Sequence, residues 1–141
     1  MVDLLSGIQS TTTALSAERM RLDVISQNIA NAQTTRGPDG RPYQRKIVSF
    51  EAQLQQAAGA EGIQSTPSLR VASITADPTP GVDIFMPGHP HANADGMVRM
   101  PNVNVAREMV DLITASRAFE ANLSVVRTSR QMALKALQIG R

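Results

Sequence analysis

Cysteine is absent from the 141 residues. That excludes disulfides, thiolate metal sites and cysteine nucleophiles. Tryptophan is also absent, and three Phe with one Tyr are the only aromatics. A stacking platform for single-stranded nucleic acid needs several exposed rings, so that class is excluded too. Charge of one sign is not in excess: Lys+Arg 14 against Asp+Glu 12 leaves +2. Such a balance does not by itself imply nucleic acid or anionic lipid as a partner. No uncharged apolar run reaches the ~18 residues a membrane span needs. The start, MVDLLSGIQSTTT, has an acid and no basic segment. The expectation is therefore no secretory signal peptide, with export by another machine left open.

Proline and glycine are scarce at both ends. All eight prolines lie between positions 38 and 101, and residues 8–36 and 102–139 contain neither proline nor glycine. Helix breakers are confined to the middle, flanked by two long breaker-free arms. The expected division is 1–36 plus 102–141 as a helical unit, and 37–101 as a Pro/Gly-rich middle region. The length suits one compact unit with extensions.

In the first arm, Ile8, Leu15, Leu22 and Ile29 recur at an interval of seven, and Ile25 widens the stripe. This predicts an amphipathic helix with a narrow seam, roughly 43 Å long at ~1.5 Å per residue. Asp3 is the expected N-cap, and the helix should stop near 31–37, where Asn, Thr and Gly accumulate. In the second arm, Val105, Met109, Leu112, Ser116, Phe119, Leu123, Val126, Arg130, Ala133 and Leu137 step alternately by four and three. The mean step of 3.5 is the coiled-coil interval. Asn104 is the expected N-cap and Gly140 the stop.

Two narrow seams cannot cover their apolar surface alone. The predicted fold is mainly α: long N- and C-terminal helices paired as an antiparallel coiled coil, with a small extended or β-hairpin middle region. Val110, Ile113, Ala118 and Val125 remain outside the seam as a predicted assembly surface. In the middle, Asp39-Gly40 and Asp95-Gly96 signal turns, 57–67 reads as a polar loop, and 69–76 as a strand. Asp77-Pro-Thr-Pro-Gly81 turns the chain, and 82–86 alternates as a short strand does.

Chemistry is thin. His89, His91 and Asp95 are the sole metal-like cluster, but Pro90 sits between the histidines in a turn-rich loop. Three ligands held by a fixed scaffold are needed, and the plainer reading is a turn whose side chains bond local backbone. No serine sits in Gly-x-Ser-x-Gly, and no glycine-rich phosphate loop occurs. Glu108 and Asp111 share a helix face, read as dipole support and solvent exposure. Asn28 and Asn31 read as capping and packing polars. No catalytic residue, cofactor or metal is expected.

One resemblance gathers these features. Thr13-Ala-Leu-Ser-Ala-Glu18 and the Ile25-Ser-Gln-Asn-Ile-Ala-Asn-Ala32 that follows resemble the N-terminal signature of bacterial flagellar rod and hook proteins. The segment from Pro87 to Asn104 and the run Glu108 to Asn122 resemble the proximal-rod branch of the basal-body rod proteins. The motif positions are Asn28, Asn31, Gly88, His89, Pro90, Asp95, Gly96, Pro101, Asn102, Asn104, Glu108, Arg117 and Asn122. Met97 and Met100 stand where aromatics are expected, and His91 where an acid is usual.

The resemblance implies a structural subunit of the proximal rod. That subunit would self-associate in a helical tube that carries motor torque through the periplasm. Its implied partners are other proximal and distal rod proteins, the rod-to-membrane-ring adaptor protein and the membrane ring. It implies passage through the flagellar type III export apparatus, without a cleaved signal peptide. Two competing readings remain. A cytoplasmic coiled-coil adaptor or export chaperone would share the arms but not need the 88–104 turn segment. A small metal-dependent enzyme would use His89, His91 and Asp95.

Overall fold

A computed structural model describes the backbone of residues 2–59 and 62–139 and the side chains of 10–51 and 71–138. Two long helices carry the largest share: α1 over Val2–Ala30 and α2 over Val105–Ile139. Between them run two separate antiparallel pairs. Strands β1 (Lys46–Gly59) and β2 (Gly62–Ala76) form a long ribbon, and β3 (Asp83–Phe85) with β4 (Met97–Arg99) a short one.

Helix α1 stops where expected. The Asn31 amide still bonds the Gln27 carbonyl, and the Asn31 side-chain amide donates to the same oxygen at 2.8 Å. Its Oδ1 accepts the Thr34 hydroxyl at 3.2 Å, so this asparagine ties the helix end to the turn that follows. Asp3, read as the cap, lies one residue inside α1, and its side chain is outside the described ones. Asn104 caps α2 as read: its Oδ1 accepts the Arg107 amide at 3.1 Å. The expected stop at Gly140 lies outside the described residues.

The middle departs from expectation in one place. Within 57–67, read as a loop, residues 57–59 and 62–67 are paired: Ala57 faces Gln64, Leu54 faces Pro67, and Gly59 faces Gly62. The local composition is poor in strand formers, but extending the ladder from the 46–54 and 69–76 pairs satisfies backbone groups that a loop would leave to water. Pro67 is tolerated because a two-stranded ribbon has only edge strands. A register shift between Ser49 and Phe50 bends the ribbon.

The predicted turns are present. Gly40 and Gly96 both take φ of 71°, the left-handed conformation that makes glycine the residue of choice there. At Gly96 the site is also tight: a Cβ would stand 3.0 Å from the Phe85 ring and 3.1 Å from Pro87. Asp77 Oδ1 accepts both the amide and the hydroxyl of Thr79, an Asx turn through the Pro-Thr-Pro stretch.

Among the described side chains few are buried. Ala17, Val24, Ile25, Val98 and Ala115 are buried apolar residues, and Asn28 and Glu108 are buried with them. The helices pack on one another, and α1 also packs along both strands of the ribbon. On α1 the buried positions 17, 24 and 28 lie beside the 15, 22 and 29 row, whose members are half-buried. On α2 the buried positions are 108 and 115, one residue before Met109 and Ser116. Leu112, Phe119, Leu123 and Val126 are half-buried, whereas Met109 is 51 % exposed. On α2 the buried positions precede the predicted ones by one; on α1 Ala17 and Val24 follow Leu15 and Leu22 by two, and the predicted Ile25 is itself buried.

Candidate assembly surface and polar core

The most ordered chemistry lies where the end of α1, the root of the ribbon and the start of α2 meet. Asn28 is 1 % exposed and uses both ends of its amide. Its nitrogen donates to the Lys46 carbonyl at 2.9 Å and to Glu108 Oε2 at 3.1 Å. Its oxygen accepts the Lys46 amide at 2.9 Å and the Tyr43 hydroxyl at 2.9 Å. Glu108 is fully buried, which corrects the expectation of a solvent-exposed dipole partner. Its charge is met by Arg45, whose Nε donates to Oε1 at 2.6 Å. A buried carboxylate is tolerable only with such a partner.

Arg45 faces two more carboxylates, Asp77 at 3.8 Å and Asp111 at 3.7 Å. Its own backbone is fixed as well: the amide donates to Asn102 Oδ1 at 2.7 Å, and the carbonyl accepts the Asp77 amide at 2.7 Å. The Asn102 side-chain nitrogen donates to the carbonyls of Asp77 and Thr79. Burial, and then the negative Glu108 nearby, raises the Tyr43 phenol above its usual range. The Thr79 hydroxyl and amide, with Arg45 and Arg107 adding to them, hold the Asp77 carboxyl below its usual range.

Sequence reasoning named Asn28, Asn102 and Glu108 but missed Tyr43, Arg45, Lys46 and Asp77. Arg45 and Glu108 lie 63 positions apart, and no spacing rule links them.

The His89–Asp95 turn makes no described metal cage. The two imidazoles stand 5.2 Å apart, edge to face. His89 Nδ1 accepts the His91 amide at 3.1 Å, and His91 Nδ1 shares a hydrogen bond with the Thr35 hydroxyl at 2.8 Å. The latter ties this turn to the chain just after α1. Asn93, which the sequence did not single out, organises the turn: its Oδ1 accepts the amides of Asp95 and Met97. Among the described residues, no three of His, Cys, Asp and Glu converge to hold a metal ion.

The other motif positions scatter. Pro101 is buried, Asn122 half-buried, and Gly88, Pro90, Asp95 and Arg117 are exposed. A Cβ on Gly88 would meet nothing within 4 Å. Ile8 lies outside the described side chains. On the outer face of α2, Val110 is 63 %, Ile113 55 % and Val125 52 % exposed. A second apolar patch surrounds the short ribbon, with Val82, Ile84, Phe85 and Met86 all exposed. Arg99 holds Asp83 there through two bonds of 2.9 and 3.0 Å, which keep the Asp83 carboxyl below its usual range.

Long helical arms, a small core and bare apolar faces define a protein built to be packed against others. Comparison with known proteins gives the class. The family model for flagella basal body rod protein matches residues 8–38, and that for the flagellar basal body rod FlgEFG protein C-terminal region matches 94–139. These two stretches cover most of both helices and the turn before α2.

The particular relatives follow. The chain is 44 % identical to the flagellar basal-body rod protein FlgC of Yersinia enterocolitica over 139 residues, 99 % of each chain. It is 42 % identical to FlgC of Salmonella typhimurium over 137 residues, 97 % of this chain and 98 % of the relative. With FlgC of Bacillus subtilis the identity is 36 % over 145 residues, 96 % and 97 % of the two chains. The chain belongs to the FlgC family of flagellar basal-body rod proteins, whose role is that of a structural rod subunit.

Proposed function

We propose that this chain is a non-enzymatic subunit of the proximal rod, and that it works by packing. Its two helices, within a terminal unit of 1–36 plus 102–141, pair as an antiparallel coiled coil inside a helical tube, and the middle region, 37–101, lies outside them. A head-to-tail contact whose rotation does not close generates such an open filament. Torque then passes through many nearly parallel helix contacts along the tube. The partners are further copies, other proximal and distal rod subunits, the adaptor to the membrane ring and the ring itself. The place of work is the periplasmic part of the basal body, reached through the flagellar type III export apparatus.

The accessible surface carries this reading. It is 10423 Å², whereas a compact monomer of this mass exposes about 7,100 Å². The excess, on the order of 3,300 Å², falls in the range that obligate assemblies bury. The bonds from Asn28 near the end of α1 to Glu108 in the first turn of α2 support the antiparallel arrangement. Ile8, Leu15, Leu22, Ile25, Ile29, Leu112, Phe119, Leu123 and Val126 are the proposed seam, with Met109 and Val110 facing neighbours.

Basal bodies isolated from a strain whose own copy is replaced by a tagged chain test the proposal. The tag is expected in the rod by electron microscopy, and deletion of the chain is expected to leave cells without complete rods. A tag found only in the cytosol, with rods intact, overturns it.

A further inference from the structure

The polar cluster around Asn28, Arg45 and Glu108 has a task that packing alone does not perform. Its members come from both helices and from both ends of the long ribbon. Asn28 belongs to α1, Glu108 and Asp111 to α2, Tyr43 and Arg45 to the link before β1, and Asp77 to the residue after β2. Both ends of the ribbon leave from this cluster. Asn28 holds the amide and the carbonyl of Lys46, the first residue of β1. The Arg45 carbonyl holds the amide of Asp77, just past the end of β2.

Beyond its root the ribbon has no third strand among the described residues. It packs along α1. Between α1, the first residues of β1 and the start of α2 lies an open groove of about 300 Å³, lined by apolar Val24, Ile25, Ile47, Val48 and Phe50 together with the polar side chains of the cluster itself. Apolar contact is non-directional, and an incompletely filled groove does not select one ribbon angle. Hydrogen bonds and a guanidinium fork are directional and do select one. A fully buried carboxylate is a poor source of net stability, because desolvation offsets the ion pair. Retaining one makes physical sense where it fixes a unique geometry.

We propose that the Asn28–Arg45–Glu108 cluster is an orientation lock that sets the angle of the β1–β2 ribbon to the helix pair. The helices can pair without it, but the ribbon then swings. This deepens the structural-subunit reading, since a packed assembly needs each copy to present one shape. It is tested on the purified chain, so its failure and the failure of the rod assignment are separate observations.

Because the chain has no cysteine, spin labels can be placed at will. Asp23→Cys with Ser73→Cys, both exposed positions, reports the ribbon against α1. Asp23→Cys with Glu120→Cys reports α1 against α2. The lock is removed with its volume kept by Asn28→Leu, Arg45→Met and Glu108→Leu together. Pulsed electron–electron resonance is then expected to show an unchanged helix–helix distance. The ribbon–helix distribution should broaden to at least about twice the parent's width, as a unit freed from its anchor samples several angles. A parent-like narrow distribution in this triple variant overturns the proposal.

Arg45→Lys is the second variant, keeping the charge and losing the fork. If the triple variant loses its helical circular dichroism, this one decides by the same two distances. Loss of the helical signal in both would make the cluster a stability core and overturn the lock.

Discussion

Replacing Asn28 by alanine is the most exacting single perturbation of this fold. The side chain makes four hydrogen bonds, and none of its partners has an obvious substitute. The Lys46 amide and carbonyl lose the groups that anchor the start of β1. Tyr43 loses the acceptor for its hydroxyl, and buried Glu108 loses one of its two described donors. Net contributions of about 0.5–1.5 kcal/mol for neutral bonds, and about 1.5–3 for one to a charged group, set the scale. Water entering the vacated volume returns part of this, so the expected loss is about 3–5 kcal/mol. That is a large fraction of the roughly 5–15 kcal/mol that holds a domain together. Urea titration followed by helical circular dichroism measures it, with the slope checked for an unchanged transition. A loss below about 1 kcal/mol would refute the reasoning, because one buried bond to a charged group and three part-buried bonds should together cost more than that to dismantle. Asn28→Asp is expected to be at least as damaging, since it places a second carboxylate against Glu108 and removes the donor to Lys46.

Further outcomes follow from other contacts. Gly81→Ala puts a Cβ 1.9 Å from the Met100 carbonyl oxygen; the start of the α2 link must move, and about 2–3 kcal/mol should be lost by thermal melting. The single tyrosine makes alkaline titration specific. Its phenolate absorbance should appear above pH 10.0 in the folded chain, and Glu108→Gln should move it down. Because that pKa is raised on folding, its contribution is complete below the unfolded value and is lost as pH rises through the folded one; a folded midpoint at or below 10.0 contradicts the burial of this site. Asp77 and Asp83 are depressed, so their contribution is present above the ordinary carboxylate value and disappears as pH falls through the folded one; Asp77→Asn should flatten the acid limb of the stability curve. On the outer face of α2, Val110→Glu with Ile113→Glu should leave monomer stability within about 0.5 kcal/mol yet abolish swimming. Normal swimming would remove that face from the assembly surface.

The helices were legible because their evidence is local. Breaker-free arms, an asparagine cap at 104 and a run of Asn, Thr and Gly after residue 30 are all read within one turn of chain. The two left-handed glycines were legible for the same reason: Asp-Gly announces them. Residues 57–59 and 62–67 were not, because Ala, Gln and Ser there carry no strand preference of their own. They pair because residues 46–54 and 69–76 already hold the two strands in register, a non-local cause. The buried helix positions were only partly legible for a related reason. Large apolar side chains mark the heptad in the sequence, but the buried positions also include Ala17, Ala115, Asn28 and Glu108, which a count of large apolar residues passes over.

The same contrast bears on how such a chain divides its work. Leu15, Leu22, Phe119 and Val126 lie half-buried, so neighbouring copies can complete their burial, and the free energy of covering them belongs to the assembly more than to the monomer. What the monomer must supply is shape. Few of the described apolar side chains are buried, and the cluster joining Asn28, Arg45 and Glu108 adds directional bonds where both helices and the root of the long ribbon meet. Phe119→Ala separates the two contributions. Half-burial limits its effect in the isolated chain to less than the ~3–5 kcal/mol of a full core truncation, whereas repetition around a helical assembly multiplies it. The expected result is a modest shift in monomer melting together with a severe defect in rod assembly. Equal, mild effects in both assays would place Phe119 outside the contacts between copies.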